Sequence, residues 1–284
     1  MSPSETTFVR CAGMRWRVLR DGRGPVVLAL HGTGSSADSF LGLTAALSHH
    51  FMVVSPDLPG HGQSRPDGRA DLSLNGMASA VERLTRELRL EAQIVIGHSA
   101  GAAVIARLLL DHRIAPDLFV GIAPAILPLP TARHTLSSAA ARVLGRSRRL
   151  RRFAMRQSEA RVEGLVRGMG STLGPEALDH YRRLAGSPEH VEGVLEMLST
   201  WDVAPVYRAL ERITVRSLLV AGARDEAIPV AHAVRVAERL RRGRLVVVPG
   251  AGHLVHEEKP AEVARLVLDD WHACAQFVAP MVFG

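Results

Sequence analysis

The sequence predicts an α/β fold: a mostly parallel central sheet flanked by helices, carrying a helical lid insertion. Three observations lead there. Short β-branched runs alternate with longer stretches of helical period. Runs such as VVLAL at 26–30 and SLLVA at 217–221 are apolar at successive positions, which is the pattern of strands buried on both faces. A chain of 284 residues, 47% hydrophobic and 22% charged, suits one large domain with an insertion and excludes disorder or a coiled coil.

In chain order, strands are expected at 16–19, 26–30, 51–55, 93–96, 118–122, 217–221 and 245–248. Helices are expected at 38–47, 73–90, 100–111, 230–241 and 261–275. Ser73 stands just before LNGMASAVERL, where its short side-chain oxygen suits an N-cap, and Pro260 has the fixed φ that suits a first helical turn. From 124 to 214 the alternation stops. That stretch reads as helical and Arg-rich, punctuated by Pro128, Pro130, Pro175 and Pro188. The expected organisation is therefore a core formed by 1–123 and 215–284, with 124–214 as the lid.

Composition removes several classes of function. Cys11 and Cys274 lie at opposite ends, too few for a disulfide framework or a Cys-based zinc site. No metal site and no cofactor are expected. MSPSETTFVR has an early Glu5 and no apolar core, so it does not read as a signal peptide, and no apolar run has membrane-spanning length. A cytoplasmic place is expected, with peripheral contact at the inner face of the membrane. Lys259 is the sole lysine. From Arg133 to Arg183 there are 12 arginines against four acids, a charge of +8 in a chain of net +7, so the remainder carries −1. No helix-turn-helix, RNA-recognition signature or interleaved aromatics accompany this cluster, and nucleic acid is not an expected partner. Its densest part, GRSRRLRRF at 145–153, reads either as a solvated helix face, which charge runs usually are, or as the contact for an anionic partner.

The strongest chemical signal is Gly97-His98-Ser99-Ala100-Gly101, preceded by QIVI and followed by a helical run. A strand-to-helix turn this tight needs small residues two before and two after the serine, and it raises the hydroxyl above the sheet. Ser99 is the expected nucleophile, and the N–H of Ala100 an expected oxyanion donor. A serine hydroxyl is weakly nucleophilic at neutral pH, so a histidine base and an orienting carboxylate must come from later strands. His253, in PGAGH just after the last strand, is the expected base, with His256 its nearest rival but reading as packing. Asp225, after SLLVAGA, is the expected acid, with Glu226 adjacent; the Ala-Pro-Ala that follows the strand at 118–122 offers no carboxylate. The second oxyanion donor is expected at Thr33 in His31-Gly32-Thr33-Gly34, directly after VVLAL.

Competing readings are weaker. Gly32-x-Gly34-x-x-Ala37 with Asp57 imitates a dinucleotide fingerprint, but His31 interrupts the strand-to-glycine junction and the serine elbow would go unexplained. No G-x-x-x-x-G-K exists. Asp57-Leu-Pro-Gly-His61-Gly reads as a turn, His61 lacks ligand-spaced partners, and Trp201-Asp202 reads as packing in the lid.

Together HGTG, DLPGHGQS, GHSAG, GARDEAIP and GAGHLVHEEKP resemble the α/β-hydrolase superfamily across the whole core. Within it, HGTGSSADSF, LSLNGMASA, GHSAGAAVIARLLLD and the lid segment HYRRLAGSPEHVEGVLEMLSTWD are most similar to the α/β-hydrolase-type accessory proteins of magnesium chelatase in bacteriochlorophyll biosynthesis. The lid carries more of that resemblance's weight, because lids vary with function while core motifs do not. The resemblance implies a serine hydrolase accessory to magnesium insertion into protoporphyrin IX, with chelatase subunits as partners and a porphyrin as small-molecule ligand. Porphyrin carboxylates then join membrane surfaces and acidic protein faces as possible contacts of the arginine cluster. The alternatives are a general esterase, amidase or C–C hydrolase, and a non-catalytic porphyrin carrier or assembly factor on the same fold.

Overall fold

A computed structural model describes residues 4–128 and 161–278. The strands are β1 (Glu5–Cys11), β2 (Met14–Gly22), β3 (Val26–Leu30), β4 (Met52–Pro56), the two-residue β5 (Arg65–Pro66), β6 (Ala92–His98), β7 (Leu118–Ile122), β8 (Arg216–Gly222) and β9 (Gly243–Val248). They form one sheet in the order β1-β2-β4-β3-β6-β7-β8-β9, with β5 paired to β2. From β4 to β9 neighbours are parallel, whereas β1, β2 and β5 add antiparallel strands at one edge. All seven expected strands are present. β1 and β5 were not expected: β1 is an edge strand whose residues are all exposed or only partly covered, so it lacks the apolar run that marks its neighbours.

Helices α1 (Leu41–Leu47), α2 (Leu74–Glu87) and α3 (Ala100–Leu110) alternate with the early strands. The helix expected from 38 opens instead as a 3-10 turn, Ala37–Phe40, because Ser36 caps it by accepting from the Asp38 N–H. Ser73 caps α2 as expected, accepting from the Gly76 N–H at 3.2 Å. Between β7 and β8 come helical residues 161–168 (α4), then α5 (Pro175–Ala185), α6 (Pro188–Thr200) and α7 (Ala204–Arg208). α8 (Val230–Arg239), the short α9 (Val255–Glu258) and α10 (Pro260–Val278) complete the chain. The arginine cluster at 145–153 lies outside the described residues.

Each face of the sheet has its own apolar layer. Along β3, Leu28 and Leu30 join Trp16, Met77, Val104 and Phe119 on one side, and Val27 and Ala29 join Phe40, Ile96, Val263 and Val267 on the other. Successive side chains of a strand point to opposite faces, so an unbroken apolar run is what a doubly covered strand requires. The parallel strands therefore end together at one carboxyl edge, where ligands of open α/β sheets bind.

Candidate active site

Ser99 occupies the turn between β6 and α3 at φ 50°, ψ −114°, a backbone conformation that non-glycine residues rarely adopt. The surroundings over-determine it. The Ser99 N–H donates to the Ile122 carbonyl at 2.9 Å, and its own carbonyl accepts from Ala125 at 3.1 Å. A Cβ at Gly97 would lie 2.5 Å from the Ala102 Cα, and one at Gly101 would overlap the Leu30 carbonyl oxygen. Both glycines are thus required by backbone contact. Ala100 is the first residue of α3, so its N–H has no intrahelical acceptor and points out of the helix start.

His253 and Asp225 meet. The imidazole Nδ1–H donates to the Asp225 Oδ2 at 2.8 Å, and both residues are buried, at 6% exposure each. The other carboxylate oxygen, Oδ1, accepts from the Ala227 and Ile228 N–H groups at 2.9 and 2.8 Å. This bonding leaves Nε2 as the ring nitrogen not engaged by Asp225. His98, one residue before Ser99, donates from Nε2 to the His253 carbonyl at 3.1 Å, and the two rings lie 4.8 Å apart. The histidine loop is thereby tied to the elbow.

The 31–35 loop completes the group. A Cβ at Gly32 would lie 2.9 Å from both the Ser99 Cβ and the His98 Nδ1, which places the loop directly against the elbow. The Ser35 N–H closes a turn on the Gly32 carbonyl at 3.2 Å, with Thr33 at its tip, exposed, its hydroxyl 3.8 Å from the Met197 sulfur of α6. His31 holds the loop from behind, accepting from the Leu58 N–H at Nε2 (2.9 Å) while Nδ1 lies 2.8 Å from the Gly32 carbonyl. Four of the five expected site residues thus come from turns and loops at the carboxyl edge, and Ala100 opens α3 there.

Sequence reasoning missed the contribution of the segment after α4. The Met169 carbonyl accepts from the N–H groups of both Glu226 and His253, at 3.4 and 3.2 Å. Ser171 Oγ accepts from the Leu254 N–H at 2.9 Å, and Glu258 accepts from Gly252 at 2.8 Å and Thr172 at 3.2 Å. One segment between β7 and β8 therefore fastens the acid loop to the histidine loop. Its only sequence signal is the pair Gly168 and Gly170, of which Gly170 sits at φ +75°.

His256 packs, as expected: it is fully buried, with its ring 5.0 Å from Phe40 and 4.4 Å from His98. Burial is the main cause that depresses its pKa to about 3, so it is neutral near pH 7. Asp57 is occupied structurally: its oxygens accept from Ala37 and Gln63 at 2.8 and 2.7 Å and face Arg17, which also binds Asp38. That use leaves no carboxylate for a ribose. Burial also lowers His61 to about 4, and its ring faces His31 and His190. Among the described residues no group of three or more His, Cys, Asp or Glu could hold a metal ion. None of their helices is long and apolar enough to cross a membrane.

Comparison with known proteins adds four findings. A model of the alpha/beta hydrolase family matches residues 26–266. The chain is 33% identical over 270 residues to the magnesium-chelatase 30 kDa subunit of Rhodobacter capsulatus, covering 92% of each. Among solved structures, a thermophilic esterase from Thermogutta terrifontis superposes with a TM-score of 0.78 at 20% identity, covering 95% of this chain and 99% of that one. An epoxide hydrolase, CorEH, gives a TM-score of 0.76 at 20% identity over 95% and 99%. An esterase and an epoxide hydrolase fit almost equally, so at this identity the likeness speaks for the fold alone.

Proposed function

Because the chain belongs to the alpha/beta hydrolase family, we propose that it is a serine hydrolase in which Ser99 is the nucleophile, His253 the base and Asp225 the orienting acid. The observation that carries this reading is the 2.8 Å Asp225–His253 hydrogen bond beside a serine held at φ 50°. His253 Nε2 takes the hydroxyl proton as Ser99 Oγ bonds to the acyl carbon, and the carbonyl oxygen gathers negative charge between the N–H groups of Thr33 and Ala100. The bond to the leaving group then breaks as that group takes the proton from His253, and water repeats the sequence to release the acid. We read the segment 124–214 as a lid insertion, and what supports this among its described residues is Met197 of α6, whose sulfur lies 3.8 Å from the Thr33 hydroxyl.

We place the activity in the magnesium-chelatase system, on the support of the 33% identity to a subunit of that name. The chain has no G-x-x-x-x-G-K, so its role there is that of an accessory and not of an ATP-driven subunit. A carboxylate-bearing porphyrin is the ligand class this reading assigns to the site, and the chelatase subunits are its partners.

The test of the chemistry is labelling by a fluorophosphonate probe, which reacts with activated serines. Wild type is expected to label, and Ser99→Ala and His253→Ala to lose labelling while melting normally. Equal labelling of all three would end the triad reading. The test of the setting is magnesium insertion into protoporphyrin IX by chelatase subunits: wild type is expected to raise the rate and Ser99→Ala to leave it unchanged.

A further inference from the structure

The buried groups around the candidate site include one set that the proposed mechanism does not use. Tyr181 of α5 donates its hydroxyl to the Glu257 Oε1 at 2.6 Å, and the same hydroxyl lies 3.2 Å from the Ser35 Oγ. Tyr181 is one of only two tyrosines in the chain. Its ring packs in a small apolar cluster with Val162, Val166 and Leu254, while its hydroxyl is turned into the interior. The Glu257 side chain is 9% exposed and, among the described residues, has no arginine or lysine within ion-pair distance; its nearest basic atom is the His256 Nε2 at 3.9 Å. A phenol and a carboxyl taken out of water together cost free energy unless each satisfies the other.

The three residues belong to three different segments. Ser35 closes the turn whose tip is Thr33, Glu257 lies four residues beyond His253, and Tyr181 belongs to the insert between β7 and β8. We propose that Tyr181, held by Glu257, is a positioning residue that fixes the 32–35 turn through Ser35 and so aims the Thr33 N–H at the oxyanion. This rests on the reading of Ser99 as nucleophile. The neighbouring Ser36 Oγ lies 2.9 Å from the His180 Nε2, so α5 meets this turn through two successive polar contacts. An oxyanion donor stabilises only the transition state, and only when held at the right place before reaction.

The test uses the full-length chain and two readouts: the saturation kinetics of fluorophosphonate labelling, and amide hydrogen exchange across 32–36. Tyr181→Phe keeps the ring and removes both hydrogen bonds. It is expected to lower the maximal labelling rate about ten-fold, with the half-saturating probe concentration unchanged, and to speed exchange at 32–36. Glu257→Gln keeps an acceptor for the phenol and is expected to label near the wild-type rate, whereas Glu257→Leu should behave like Tyr181→Phe. Ser35→Ala, which deletes only the last hydroxyl, should do the same and decides the matter alone if Tyr181→Phe fails to fold. Wild-type labelling rates in Tyr181→Phe and Ser35→Ala would overturn the proposal, even if exchange rose. If wild type itself does not label, the nucleophile reading fails separately, and unchanged exchange in both variants would still overturn the relay.

Discussion

Asp225 divides its two oxygens between the backbone and the imidazole, and that division decides what its replacement should do. An asparagine keeps one acceptor for the amides of Ala227 and Ile228 but sets its NH2 against a ring nitrogen that now donates. Asp225→Asn should therefore melt within a few degrees of wild type yet lose roughly 10³–10⁴-fold in labelling rate, because the ring is left in the wrong tautomer. A loss under ten-fold would remove the orienting role. Glu257 gives a second prediction with a sign. Burial is the main cause that raises its pKa to about 8; the Tyr181 hydrogen bond opposes this and the Glu258 charge adds to it, with His256 the other titratable neighbour. Because the folded state holds this proton more tightly than the unfolded chain, the stabilisation is complete below the usual glutamate range and is lost as pH rises toward 8. The melting temperature of Glu257→Gln minus that of wild type should thus grow from pH 5 to pH 8 and then level off; a difference that is flat in pH would contradict it. Asp225 and His253 were legible in the sequence because each follows a strand at the same sheet edge. Ser35, Tyr181 and Glu257 were not, since no local period joins positions so far apart and a glutamate in HEEKP reads as solvated.

Elements were legible where an apolar run stood out, and β9, although mostly uncovered, was read from its LVVV run. The doubly buried strands stood out as apolar runs, while β1, uncovered on both faces, did not. The elbow was legible through its glycines, and the structure gives the reason: at Gly101 there is Leu30 backbone where a Cβ would go, and backbone cannot swing aside. Gly101→Val should cost about 3 kcal/mol or more, seen as a lowered denaturation midpoint, together with loss of labelling; a variant that melts normally and labels fully would displace the elbow. Gly170 differs. A Cβ there would collide with the Arg224 carbonyl, and φ +75° disfavours any side chain, yet the residue lies in the segment that clasps two loops and not in the sheet. Gly170→Ala should therefore loosen the Met169 bonds to Glu226 and His253, lowering the labelling rate more than the melting temperature. Comparing the two variants by labelling and thermal melting separates a defect of the fold from a defect of loop placement.

At the scale of the whole molecule, charge is the property most unevenly spread. Arg133 to Arg183 carries +8 and the rest −1, so any long-range attraction to an anion acts through one region of the chain. Within it, Arg148, Arg149, Arg151 and Arg152 fall in five consecutive positions broken only by Leu150. Each cation near an anionic membrane contributes on the order of 1 kcal/mol. That attraction is screened over about 10 Å at 0.1 M salt, so it should fade as salt rises, unlike burial of apolar groups. Wild type should therefore co-sediment with vesicles containing anionic lipid and not with neutral ones, and binding should fall with added salt. A variant with glutamine at all four arginines should bind at least ten-fold more weakly while labelling at the wild-type rate. Identical sedimentation of the two proteins, or binding indifferent to salt, would exclude the membrane as the partner. Porphyrin titration of the same variant, read by the Soret absorbance shift, then asks whether those arginines meet ligand carboxylates: weaker binding than wild type would assign them to the ligand, and equal binding would leave an acidic protein face as the contact to measure against the chelatase subunits.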